Sequence, residues 1–223
     1  MIKSWLKDRI KLTSLCRRLW KKPEPPPASP YDRLIFVCGM ARTGTSAFTS
    51  YIASHPDVQL VVSDYIWVNA ENNLINGTPD WETIDRLLEE YKPRRILLKK
   101  PWAEGIPSLF ERISPKNTVV CFRDMESLFC GWSVSEHVGN ECKMTPDIIY
   151  RNDLNACYDL VQKGAYRVSM EHMMIKDQSK ELGKHFGLDP AGFDPLRIQK
   201  KWRSMAEKEW LEKHAIWVER KGR

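Results

Sequence analysis

The stretch from Leu34 to Ser54 constrains the fold more than any other part of the chain. Leu34-Ile35-Phe36-Val37-Cys38 is an unbroken apolar run that stops at Gly39, the pattern of a strand buried on both faces. A second glycine, Gly44, follows five positions later, and Ser46 to Ser54 reads as a helix. Strand, glycine loop and helix in that order gather unpaired backbone N–H groups at a helix N-terminus, where the dipole is positive. The predicted unit is therefore an anion-binding turn. Gly39 and Gly44 have the spacing of the G-x-x-x-x-G-K-[ST] phosphate loop, and Ser46 fills its hydroxyl position. Thr45, however, stands where the lysine belongs. The cation sits instead at Arg42, two residues ahead of Gly44. Thr43, Thr45 and Ser46 add hydroxyl donors, and Gly44 permits close approach and a positive φ.

The rest of the chain repeats the strand–helix alternation. Strands are predicted at Val58 to Val62, Ile96 to Leu98, Thr118 to Phe122 and Tyr166 to Ser169. Helices are predicted at Asp80 to Glu90 with Asp80 as a cap, at Ser108 to Arg112, at Pro146 to Lys163 and at Asp177 to Phe186, the last stopping at Gly187. Such alternation specifies an α/β chain in three layers, a central parallel sheet with helices on both faces. No internal repeat is visible.

Charge is concentrated at one end. The chain of 223 residues has a formal net charge of +6. Residues 1–30 hold eight Lys/Arg and two Asp/Glu, so the remainder is neutral. That distribution speaks against a nucleic-acid partner, which needs a basic face on the folded body. Ile2, Trp5, Leu6, Leu12, Leu15, Leu19 and Trp20 recur at roughly helical spacing among lysines and arginines. Residues 1–22 thus read as a basic amphipathic helix, suited either to an anionic membrane surface or to packing on the body. Residues 23–30 carry five prolines and form a stiff linker. The α/β domain is assigned to 31–223.

The six cysteines form no C-x-x-C pair, and the five histidines have no ligand spacing, so neither a disulfide framework nor a metal site is expected. Cysteine usage fits a reducing compartment, and no apolar run is long enough to span a bilayer. The expected location is cytoplasmic, at the periphery of a membrane if residues 1–22 bind its surface and not the body of the protein.

Several stretches, taken in order, resemble the sulfotransferases that use 3′-phosphoadenosine 5′-phosphosulfate. Arg42-Thr43-Gly44-Thr45-Ser46 is similar to that family's 5′-phosphosulfate loop, [KR]-[ST]-G-[ST]-[ST]. His55-Pro56-Asp57-Val58 is similar to an H-P-[DE]-[VI] element of carbohydrate sulfotransferases. Lys99-Lys100-Pro101 is similar to K-[ST]-P, with Lys100 departing from the small hydroxyl residue. Asn117 to Asp124 resembles the strand that ends in the 3′-phosphate arginine, here Arg123. Tyr166 to Met173, then Glu181 to Leu188, resembles the late E-D-L and F-L-G-L segment. The resemblance spans roughly residues 33–190. It implies a P-loop-NTPase-like sulfotransferase fold and transfer of a sulfuryl group to an acceptor hydroxyl. The product would be 3′-phosphoadenosine 5′-phosphate, and no metal would be required.

The resemblance also implies roles. Arg42 would stabilise the leaving oxygen, and Thr43, Gly44, Thr45 and Ser46 would hold the 5′ end. Lys99 would bind the donor or the transferring group, and Arg123 the 3′-phosphate. Heparan-type relatives place a glutamate base a few residues after H-P-[DE]-[VI]. Ungapped counting puts Asp64 there, with Glu71 and Glu104 as fallback carboxylates and His55 as a weaker choice. The family's 3′-phosphate serine falls on Gly131, so either Ser133 substitutes through a shifted turn or the 3′-phosphate has fewer ligands. The acceptor would be a glycan, glycolipid or small hydroxylated metabolite, with Trp67, Trp81, Trp102 and Trp132 as candidate stacking residues. Two other readings are a small-molecule kinase with a modified phosphate loop and a phosphonucleotide-binding protein without activity. Thr45 in the lysine position weighs against the kinase.

Overall fold

The computed structural model of the chain describes residues 29–40, 43–63, 73–75, 78–100, 107–124, 146–194 and 215–218. Six strands form one sheet: β1 (Leu34–Gly39), β2 (Val58–Ser63), β3 (Arg95–Lys99), β4 (Thr118–Phe122), β5 (Tyr166–Ser169) and β6 (Ala215–Val218). Their order across the sheet is β5-β4-β1-β3-β2-β6, and every described pairing is parallel. The helices are α1 (Thr45–Ala53), α2 (Trp81–Glu90), α3 (Pro146–Gln162), α4 (Met170–Ile175) and α5 (Ser179–Phe186). The chain is α/β, in three layers.

Alternation along each strand divides the core in two. Leu34, Phe36 and Cys38 of β1 point to the face covered by α2 and α3, where Ile84, Leu87, Leu88, Cys157 and Leu160 meet them. Ile35 and Val37 point to the other face, against Phe48, Tyr51 and Ile52 of α1 and Leu182 and Phe186 of α5. A strand apolar on both sides explains why β1 reads as a continuous run. In α2 the buried residues Thr83, Ile84, Leu87 and Leu88 make one stripe, and Asp80 Oδ1 caps it by accepting from Thr83 N–H at 3.1 Å.

The predicted strands and most helices recur within a residue or two. The stretch predicted as a helix at Ser108 to Arg112 is a 3-10 turn, Pro107–Glu111. The last helix begins at Ser179, because Asp177 turns its carboxylate onto the Ser179 N–H (2.9 Å) and hydroxyl (2.8 Å) instead of entering the helix. Two elements were not expected: α4, immediately after β5, and β6, which pairs with β2. Ser29 and Asp32 close a capping box on the turn Pro30–Arg33, and the Tyr31 hydroxyl of that turn donates to Asp85 Oδ1 of α2 at 2.8 Å, which ties the end of the proline linker to the body. The basic segment 1–22 lies outside the described residues. No described helix is long and apolar enough to cross a membrane.

Candidate functional site

β1 is central, with β4 on one side and β3 on the other. The chain leaves β1 toward β2, beyond β3, whereas it leaves β4 toward β5 in the opposite direction. The carboxyl ends of β1 and β4 therefore border the crevice where open parallel sheets bind ligands. Three parts of the chain converge there: the glycine loop, the end of β3, and the residues following β4.

The loop begins at Gly39. A Cβ on that residue would stand 2.6 Å from the Cys121 carbonyl oxygen and 2.8 Å from Thr43 Oγ1, so only glycine lets β1 run so close to β4. Thr43 is fully buried. Its hydroxyl donates to the Met40 carbonyl at 2.7 Å, and its N–H approaches the same oxygen at 3.3 Å. The Thr43 side chain thus braces the turn from inside. Gly44 follows with φ +91 and serves as the N-cap of α1 without any side-chain cap. The first intrahelical bond runs from Phe48 N–H to the Gly44 carbonyl at 3.0 Å. Helix geometry consequently provides no acceptor for the N–H groups of Thr45, Ser46 and Ala47.

Lys99 ends β3 beside this helix terminus. Val37 of β1 is in register with Lys99. Leu97, two residues earlier, packs on the α1 face, and alternation sends Lys99 the same way. Only 2% of Lys99 is exposed, and its Nζ donates to Ser46 Oγ at 2.9 Å. The hydroxyl of Ser46, as acceptor of that bond, keeps its own proton to donate elsewhere.

On the other side, Gly39 is in register with Cys121, so Arg123 emerges from the β4 end level with the loop. Arg123 is half-buried and Asp124 exposed. The Asp124 N–H donates to Glu171 Oε1 of α4 at 3.1 Å. Burial, followed by the charge of Cys157, pushes the Cys121 thiol well up, while Lys99 pulls it down. Burial likewise raises Cys157, then Asp153 adds to the rise, while a hydrogen bond from the Met40 backbone opposes it. Cys38, Cys121 and Cys157 are free, buried thiols that serve as packing groups under the loop.

The structure brings Thr43, Gly44, Thr45, Ser46, Lys99 and Arg123 to one end of the sheet. Arg42, Asp64, Glu71, Glu104 and Ser133 lie outside the described residues, as does Gly131. His55 is unsuited to act as a base. Its Nδ1 accepts from the Asp57 N–H at 3.1 Å, which leaves Nε2 protonated and donating to the Asp189 carbonyl at 3.0 Å. Both ring nitrogens hold the end of α1 in place. Trp81 is already covered: Arg112 lies over its ring at 4.7 Å and Tyr31 meets it edge-on at 5.4 Å. Trp67, Trp102 and Trp132 lie outside the described residues. Among the described residues no three His, Cys, Asp or Glu side chains come together as a metal site. Met170 and Glu171, both at this end of the sheet, were not expected from sequence. The available signal was Ser169, whose hydroxyl accepts from the His172 N–H at 3.1 Å as a helix cap.

No protein-family model matches the sequence, and no curated protein matches it. Solved structures similar to the chain include mouse sulfotransferase SULT7A1 complexed with PAP, that is 3′-phosphoadenosine 5′-phosphate. The identity is 14%, with a TM-score of 0.43, over 83% of this chain and 70% of that one. Another is retinol dehydratase in complex with androsterone and inactive cofactor PAP, at 12% identity and a TM-score of 0.34, over 78% of this chain and 63% of that one. The α/β assignment stands on the sheet order of the chain itself.

Proposed function

We propose that the chain is a sulfotransferase that takes 3′-phosphoadenosine 5′-phosphosulfate as donor and a hydroxylated molecule as acceptor. The observation that carries this reading is the buried Lys99 ammonium, bonded to Ser46 at the mouth of a helix with no side-chain cap. A buried cation beside backbone N–H groups that helix geometry leaves without acceptors suits an anion, and the loop sequence Arg42-Thr43-Gly44-Thr45-Ser46 resembles one that holds a phosphosulfate.

The bound donor supplies a sulfuryl group on a bridging oxygen that leaves with the phosphate. The N–H groups of Thr45 and Ser46 and the Ser46 hydroxyl would grip the 5′-phosphate. Lys99 would neutralise charge on the group in flight. Arg42 is assigned to the bridging oxygen, where negative charge grows. Arg123 would take the 3′-phosphate, a task suited to the two-pronged guanidinium. Asp64 is assigned as the base that removes the acceptor proton, with Glu71 and Glu104 behind it. Ser133 is the second ligand of the 3′-phosphate. The acceptor class is a glycan, glycolipid or small metabolite, met in the cytoplasm or at a membrane surface reached by residues 1–22.

Thermal shift separates this reading from its rivals, because a ligand that prefers the folded state stabilises it in proportion to its affinity. At 100 times its dissociation constant, 3′-phosphoadenosine 5′-phosphate adds about 2.7 kcal/mol. It is expected to raise the melting temperature by several degrees and to exceed ATP with magnesium. Larger stabilisation by ATP with magnesium would turn the assignment to the kinase. Stabilisation by the adenosine bisphosphate without sulfate transfer to any hydroxylated acceptor would leave a binding protein.

A further inference from the structure

α4 has only six residues, yet it touches both halves of the proposed nucleotide site. It begins beside the exit of β4, since Phe122 is in register with Ser169, the last residue of β5. Ser169 caps it, which fixes the direction of its first turn. From that turn Met170 reaches the glycine loop. A Cβ on Gly44 would stand 2.5 Å from the Met170 sulfur, so the thioether rests directly on the loop's bend. The next residue, Glu171, reaches the opposite way and accepts the Asp124 N–H at 3.1 Å.

We propose that Met170 and Glu171 are positioning residues that fix the spacing between the 5′-end loop and Arg123. The peptide joining Arg123 to Asp124 carries the N–H that Glu171 holds. Fixing that peptide fixes the backbone from which the Arg123 side chain departs. Met170 does the corresponding work on the loop, by contact instead of by hydrogen bond. Because the two are consecutive on one capped turn, the loop and the β4 exit are held at a set distance. A bisphosphate nucleotide is gripped at two points and depends on that distance, whereas a monophosphate gripped only at its 5′ end does not. This inference rests on the reading of Arg123 as the 3′-phosphate ligand.

The test uses the full chain as wild type, Glu171→Ala, Glu171→Gln and Met170→Ala. Calorimetry gives affinities for 3′-phosphoadenosine 5′-phosphate and adenosine 5′-phosphate. Amide exchange without nucleotide reports the Asp124 N–H and the loop. Glu171→Ala is expected to weaken the bisphosphate about tenfold and the monophosphate less than about twofold, the loss of one hydrogen bond to a charged group. Glu171→Gln keeps the acceptor oxygen and should recover most of that loss. Met170→Ala should weaken both nucleotides, because both carry the 5′-phosphate, and the bisphosphate more, because the spacing is lost as well. In the free protein the Asp124 amide should exchange faster in Glu171→Ala alone, and the loop amides faster in Met170→Ala. Equal losses for both nucleotides in Glu171→Ala would overturn the proposal, and so would Glu171→Gln falling as far as Glu171→Ala. Should the wild type bind neither nucleotide, the donor assignment fails and amide exchange alone decides. Unchanged Asp124 protection in Glu171→Ala then removes the positioning role as well.

Discussion

The two ends of the sheet treat their polar groups differently. Where the strands start, long side chains are tied to backbone carbonyls of neighbouring elements. Arg33 donates to the carbonyl of Leu88 at 2.5 Å, Arg95 to that of Asp32 at 2.8 Å, and Asn117 to that of Tyr31 at 3.1 Å. The His185 ring meets the Lys116 carbonyl at 2.7 Å. Each bond stitches two segments together. Where the strands end, a lysine is buried against a serine, and α1 starts without a side-chain cap. A chain selected for stability alone would cap that helix and replace the buried cation with an apolar residue. The starts of the strands are built for stability, and the ends keep a buried cation beside a helix N-terminus that no side chain caps.

Lys99 gives the hardest test of that contrast. Burying a charge is costly unless it is paired and hydrogen-bonded, so a buried lysine is an expensive choice for packing alone. Losing a donor aimed at developing charge costs about 10²–10³-fold in turnover. Lys99→Met is therefore expected to fold and to lose sulfate transfer by that factor. Lys99→Arg should not restore it, because the planar guanidinium is larger than the ammonium and directs its donors differently. A Lys99→Met protein that melts earlier yet transfers sulfate at the original rate would move Lys99 into the structural class, and the contrast would fail.

Gly44 tests the same end by strain. Its φ of +91 disfavours any side chain, and a Cβ would collide with the Met170 sulfur. Gly44→Ala should cost about 1–3 kcal/mol of stability and weaken nucleotide binding along with it. The pair Gly44→Ala with Met170→Ala sharpens this result. Removing the thioether relieves the collision but not the dihedral, so the double variant should recover part of the stability and not all. Full recovery in chemical denaturation would show that contact alone makes glycine necessary there.

The fold was legible because buried parallel strands advertise themselves. Runs such as Leu34 to Cys38 and Thr118 to Phe122 need no partner to be recognised. The loop was legible through two glycines at fixed spacing. What could not be read is what arises across the sheet. Lys99 and Ser46 are 53 positions apart and meet only because β3 lies beside β1. The same holds for Glu171 and Asp124, joined through the β4–β5 pairing. Six residues of α4 are too few to show a helical period, and the four of β6, Ala-Ile-Trp-Val, are strand only through pairing with β2. His55 read as a weak base because its neighbours in sequence do not reveal that Asp189 occupies its second nitrogen.

The smallest effect belongs to the well-tied end, near the start of β5. Tyr166, the first residue of that strand, donates to Gln178 Oε1 at 3.0 Å, and Asp177 precedes Gln178. The Ser179 N–H and then the Ser179 hydroxyl hold the Asp177 carboxyl below its usual value, with the Tyr51 hydroxyl adding to the effect. The folded protein thus binds this proton more weakly than the unfolded chain does. That difference contributes stability at pH values above the ordinary carboxylate range, near about pH 4, and is lost as the pH falls through the lowered folded value. Asp177→Asn keeps one acceptor for the Ser179 N–H but cannot titrate. It should cost about 0.5 kcal/mol or less at pH 7, since the site is exposed to solvent. Its plot of stability against pH should be flatter than the wild type on the acid side, and the two curves should draw together as the pH falls through the lowered folded value. Nucleotide affinity should not change, because Asp177 lies with the start of β5 and away from the glycine loop. A variant that kept the full acid slope would place the titrating group elsewhere, and one that lost nucleotide binding would break the separation between the two ends of the sheet.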